Sequence, residues 1–106
     1  MTPDEEFFGV DVEQSGQAAT VSVRGEVDVA TASLLWQAIE SVDDDVVKLV
    51  IDVSELTFMD STGIRVLVRA LELLRGRGGQ LVVRAPAAGV RKLLEVTSID
   101  KVIAIE

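Results

Sequence analysis

Asp60, Ser61, Thr62 and Gly63 stand together at the point where the residue pattern changes its period. A carboxylate, two hydroxyls and a residue without a side chain suit a helix start, because Asp, Ser and Thr oxygens accept from the free N–H groups of the first turn. The same place offers other chemistry. A hydroxyl at the positive end of a helix, next to a carboxylate and at the mouth of an α/β layer, is a position where a phosphate can be added or removed. Local sequence alone favours the plainer reading of Ser61 as a capping serine. If Asp60 takes the cap, the Ser61 hydroxyl falls at the first helical position and is free. Gly63 permits close packing of helix against sheet, and Asp28, three residues before Thr31, reads as a second cap or turn former.

Holding those residues requires a strand before them and a helix after them. Val46 to Val53 is rich in β-branched residues and predicts the strand. Ile64, Leu67, Val68, Leu71 and Leu74 recur at helical spacing and predict a helix over Ser61 to Arg75 with that face inward. Val66, Ala70 and Leu73 make a further apolar stripe, which either packs on a neighbouring helix or meets a partner. Arg65, Arg69 and Glu72 fall on the polar side, where Arg69 and Glu72 are spaced for a surface ion pair.

The rest of the chain supplies a framework around this unit. Phe7 to Val12 and Ala19 to Arg24 read as strands joined by a turn at Gln14 to Gln17, close enough to pair antiparallel. Gly25-Glu26-Val27-Asp28 leads to a helix from about Ala30 to Ser41, its inner face Leu35, Ala38, Ile39 and Val42, closed by a solvated Asp43-Asp44-Asp45 turn. The glycine-rich exit Arg75 to Gly79 suits a left-handed helix end, and it follows a helix rather than preceding one, so it is no phosphate-binding loop. Gln80 to Arg84 reads as a strand, Pro86 to Val96 as a helix with Val90, Leu93 and Leu94 inward, and Val102 to Ile105 as a closing strand. Strand–helix–strand repeated three times implies right-handed crossovers. The expected fold is therefore α/β, a mixed and mainly parallel sheet of four to five strands with three to four packed helices.

Composition narrows the chemistry. The 106 residues predict a single domain, 1–106, with one modest core. There is no Cys, His or Tyr. That removes thiol chemistry, imidazole bases, Ser-His-Asp triads and Cys/His zinc sites. No catalytic residues, metal site or cofactor are expected, and the chain does not read as an enzyme. A formal charge of −8 opposes nucleic-acid binding, which depends on Lys and Arg at phosphates. No apolar run approaches the roughly 20 residues of a membrane span. The acidic start Met1-Thr-Pro-Asp-Glu-Glu6 is unlike a signal peptide, so a cytoplasmic protein is expected.

Gly25-Glu26-Val27-Asp28, the central Leu56-Thr-Phe-Met-Asp-Ser-Thr-Gly63, Gly78-Gly79-Gln80-Leu-Val-Val and Pro86 through Leu94 occur in the order found in one family. Over nearly its whole length the chain resembles the STAS-domain anti-sigma factor antagonists. The resemblance implies that Ser61 is phosphorylated by a partner that is both serine kinase and anti-sigma factor. The unmodified form binds that partner and frees a sigma factor, and a PP2C-type phosphatase reverses the modification. By position, Asp60 is the flanking acid, Asp28 a second acid near the site, and Thr62 and Gly63 complete the motif. Arg65 stands where many relatives carry Gly, and Trp36 where relatives usually carry a polar residue. A monomer or weak dimer is implied. The alternative reading is a STAS assembly subunit, as in a stressosome-like scaffold or a lipid-transport complex; a nucleotide-binding sensor rests on family suggestion alone.

Overall fold

The computed structural model describes residues 8–106, so Phe7, read as the start of the first strand, lies outside the described residues. Strands β1 (Gly9–Ser15) and β2 (Ala18–Val27) form an antiparallel hairpin whose turn is made by Gly16 at φ 58°, a backbone setting that glycine adopts without strain. Strands β3 (Lys48–Met59), β4 (Gln80–Arg84) and β5 (Ala104–Ile105) are each added parallel to the one before. The result is one mixed five-stranded sheet in the order β1-β2-β3-β4-β5. Helices α1 (Ala32–Glu40), α2 (Ser61–Gly76) and α3 (Ala88–Val96) form the three crossovers, and a short 3₁₀ turn spans Ile99–Lys101. The expected mixed sheet and its three helices are thus present. None of the described helices is long and apolar enough to cross a membrane.

One face of the sheet carries the core. Ala19, Val21, Val23 and Val27 of β2, Leu49, Ile51 and Val53 of β3, and Leu81 and Val83 of β4 alternate onto that face. There they meet Leu35 and Ile39 of α1, Leu67, Ala70 and Leu74 of α2, and Val90 and Leu94 of α3. The intervening residues belong to the opposite face, where Asp11, Ser22, Arg24, Asp52 and Ser54 help to line a shallow polar depression of about 230 Å³.

Several element boundaries differ from the sequence expectation. β3 does not stop at Val53. It runs on through the exposed Ser54 and Glu55 to Met59, because β2 continues beside it and pairs Glu26 with Phe58 and Val27 with Met59. The extension is reached through register shifts around Gly25, whose φ of 92° marks the irregularity. α1 begins at Ala32 rather than Ala30, since Asp28 to Thr31 form a hydrogen-bonded turn before it. α3 begins at Ala88, with Pro86 two residues outside, and the last strand is shortened to two residues by the 3₁₀ turn.

Helix α2 is rotated relative to the inward face that periodicity suggested. Gly63, Val66, Leu67, Ala70 and Leu74 are buried, Ile64 and Leu71 half-buried, and Val68 is exposed. The second apolar stripe is therefore occupied within the fold, where α2 packs on α1. The expected Arg69–Glu72 pair is absent among the described ion pairs. Arg69 instead lies over the half-buried Trp36 ring of α1, 4.0 Å from its centroid, where a guanidinium is attracted to the π face.

The exit from α2 is an anchored structure rather than a loose turn. Gly78, at φ 68°, donates to the Arg75 carbonyl at 3.0 Å and Gly79 to the Leu74 carbonyl at 2.7 Å, which satisfies two of the last helical acceptors. The Arg77 guanidinium donates to the carbonyls of Asp43 (2.9 Å) and Val46 (3.2 Å) and stands 3.5 Å from the Asp44 carboxylate. Gln14 holds Asp43 from the other side, donating through Nε2 at 2.7 Å and accepting from the Asp43 N–H at 3.2 Å. The triple-aspartate turn is solvent-facing, yet it is pinned at Asp43 and Asp44.

Candidate functional site

The two central strands end together. Val27 is paired with Met59, and the next residue of each chain segment, Asp28 and Asp60, opens a polar turn at the same edge of the sheet. The Asp60 N–H donates back to the Val27 carbonyl at 3.2 Å, tying the two turns to each other. α2 starts immediately, so Asp60 is its N-cap and Ser61 its first residue.

Asp60 has the extended backbone of a capping residue, and its Oδ1 accepts from the Thr62 N–H at 2.9 Å. The Thr62 hydroxyl donates to the same oxygen. That hydrogen bond is the main reason the Asp60 carboxyl lies below its ordinary value of 3.8; burial opposes it less strongly, and the Thr62 and Gly63 N–H groups lower it further. Thr62 is half-buried and committed. Ser61 is exposed, and among the described residues its hydroxyl makes no hydrogen bond. Two adjacent hydroxyls thus have different standing: one belongs to the cap, the other faces water.

A test of the cap follows from its charge. A carboxyl whose value is depressed on folding contributes stability that is present above its unfolded value and is lost as pH falls through the folded one. Asp60→Asn keeps a capping oxygen but removes the titration. Wild type should therefore lose more stability than Asp60→Asn between pH 6 and about pH 3, measured by denaturant midpoint; parallel pH profiles would show that the Asp60 charge does not matter.

Gly63 is buried at the first turn of α2. A Cβ there would lie 2.5 Å from Met59 Cγ and 3.1 Å from Val27 Cγ1. The glycine lets the helix start sit directly on the paired ends of β2 and β3, which sets the height of Ser61 above the sheet.

Asp28 is fixed by its own turn. Its Oδ1 accepts from the N–H groups of Ala30 (2.9 Å) and Thr31 (3.2 Å). Thr31, a buried polar residue, was not singled out from sequence. Its Oγ1 donates to the Glu26 carbonyl at 2.8 Å and accepts from the Asp28 N–H at 3.0 Å. The Asp-x-x-Thr spacing carried that signal. Arg65 is exposed one turn beyond Ser61 on α2 and, among the described residues, is in no ion pair or side-chain hydrogen bond. Two apolar residues at this end also escaped the periodicity argument: Val29, 84% exposed beside Asp28, and Phe58, 48% exposed two residues before Asp60. Neither has a place in a regular inward pattern, and exposure of that extent is visible only once the fold is known.

Comparison with known proteins matches residues 10–105 to the family model described as "Mlab, STAS domain". An anti-sigma-B factor antagonist of Listeria monocytogenes is 36% identical over 88 residues, which are 81% of this chain and 76% of that protein. One of Bacillus subtilis is 28% identical over 98 residues, covering 92% and 90% of the two chains. The crystal structure of an anti-sigma factor antagonist from Mycobacterium paratuberculosis superposes with a TM-score of 0.84 at 34% identity, over 98% of this chain and 87% of that one.

Proposed function

Because the chain belongs to the STAS-domain family of anti-sigma factor antagonists, we propose that it is a phosphorylation-controlled switch whose acceptor is Ser61. The unmodified form binds an anti-sigma factor that is also a serine kinase and so releases a sigma factor. Phosphorylation by that partner ends the contact, and a PP2C-type phosphatase restores it. The partner supplies ATP, Mg²⁺ and the catalytic groups, while this chain is substrate and effector. The observation that carries the reading is the inequality of the two hydroxyls, Thr62 spent on Asp60 and Ser61 open to a kinase. Val29 and Phe58, apolar and exposed at the same end, supply contact area for a partner.

The physics of the switch is local. A phosphoserine adds about −1.5 to −2 charges at neutral pH. At a helix N-terminus such charge is favoured by roughly 0.3–1 kcal/mol, so the fold survives. A mismatched charge inside an interface costs about 2–5 kcal/mol, and each 1.4 kcal/mol is about tenfold in affinity. Binding can be switched off with the protein still folded.

Incubated with the kinase-type anti-sigma factor and ATP, the chain should gain one phosphate, mapped by mass spectrometry to Ser61; a phosphate on Thr62 would overturn the assignment. Ser61→Ala should stay bound in the presence of ATP and lose about 1 kcal/mol of stability or less, because Asp60 already caps the helix. Loss of binding by Ser61→Ala would make the hydroxyl a contact group and end the switch model.

A further inference from the structure

Resting on the reading of Ser61 as the acceptor, we propose that Arg65 grips the phosphate within the same chain and stabilises the phosphorylated form. Ser61 and Arg65 are four residues apart on the exposed side of α2, the spacing at which helical side chains are neighbours. The order is favourable as well, with the anion nearer the N-terminus and the cation one turn later. Helical side chains tilt back toward the N-terminus, so Arg65 covers the turn that begins at Ser61 rather than the turn that follows.

Arg65 is also uncommitted. The other arginine on this side of the helix, Arg69, is held over Trp36, whereas Arg65 has no partner among the described residues. The neighbouring carboxylates make a cation useful there. Asp60 is capped, with its carboxyl held below the ordinary value, and Asp28 is fixed by its own turn at the adjoining strand end. A phosphate placed among them meets like charge, and a guanidinium offers a fork of N–H donors that matches phosphate oxygens. The consequence is regulatory. With Arg65 engaged, the phosphate is drawn down along the helix, and the phosphorylated state is held against the phosphatase.

The test uses full-length protein carrying phosphoserine inserted at position 61 during translation, so that it does not depend on any kinase. The second ionisation of the phosphate, near pH 6 in a free phosphoserine, is read by ³¹P NMR in wild type, Arg65→Gln and Arg65→Lys. Wild type should titrate about 0.5–1 pH unit below Arg65→Gln, with Arg65→Lys between them, because an adjacent cation favours the dianion. The melting temperature of the phosphorylated protein should fall by several degrees on Arg65→Gln, while unphosphorylated Arg65→Gln melts with the unphosphorylated wild type. Equal ³¹P titrations in wild type and Arg65→Gln would overturn the proposal. A chain that no anti-sigma kinase modifies would overturn the switch reading instead, leaving the titration result to stand by itself.

Discussion

Ser61→Glu will weaken binding to the anti-sigma partner by about tenfold or more while the melting temperature holds or rises. The carboxylate enters at the first residue of α2, directly after the Asp60 cap, where the free N–H groups of the helix start favour negative charge. The gain there is roughly 0.3–1 kcal/mol, and in a domain of this size 1 kcal/mol moves the melting temperature by about 4–8 °C, so no loss of fold is expected. If Ser61 is the proposed acceptor within the partner contact, the same charge would be desolvated against a surface that accepts a neutral hydroxyl. The affinity loss should be smaller than that caused by a phosphate, since a carboxylate carries less charge and fewer acceptor oxygens. Calorimetric titration against the partner, with a melting curve of the free variant, reads both terms. Lost binding together with a drop of several degrees would mean that the change acts through the fold, and Ser61 would then be a packed cap in an assembly subunit.

The largest effect on stability is expected at a position far from the site, Gly79. A Cβ added there would lie 2.4 Å from the carbonyl oxygen of Val47 and 3.0 Å from two further backbone atoms of that residue. That carbonyl already accepts from the Gln80 N–H at 2.7 Å, the hydrogen bond that opens the β3–β4 ladder. No rotamer relieves a clash between backbone atoms, so the strand start itself must shift. Gly79→Ala should cost about 3 kcal/mol, the upper part of the usual range for overpacking, and lower the melting temperature by about 12 °C or more. Gly76→Ala and Gly89→Ala are the controls. Nothing lies within 4 Å of a Cβ at either position. Both residues are in helices, where alanine is favoured over glycine by roughly 0.5–1 kcal/mol, so both variants should melt slightly higher. If Gly79→Ala melted with wild type, the close approach of Val47 to Gly79 would not exist in solution.

The strands and crossovers were legible because their apolar residues recur at a period of two or of about 3.6, and burial on one face enforces that period. Asp60 as cap and Ser61 as the free first residue were legible for a similar reason, since helix starts have a small chemical vocabulary. Ser54 and Glu55 were misleading. Their polarity looked like the end of a strand, yet β3 passes through them because its continuation is held by β2, a long-range partner that no local window contains. Arg69 was equally hidden: spacing offered Glu72, but the structure brings Trp36 from another helix into reach. Thr31 was overlooked because its partners, Glu26 and Asp28, are assembled by a turn rather than by a periodic element.

Strand order in this sheet is the order of synthesis, from β1 to β5. During translation each new strand can therefore be laid against one already in place, and none has to be inserted between two that have closed. The hairpin β1–β2 provides the first template, each helix returns the chain to the growing edge, and the next segment covers that edge. Nascent chains that expose an unpaired strand edge for long are prone to pair with one another. At the growing edge that exposure is limited to the time needed to synthesise one crossover, and the last strand added there, Ala104–Ile105, is too short to template another chain.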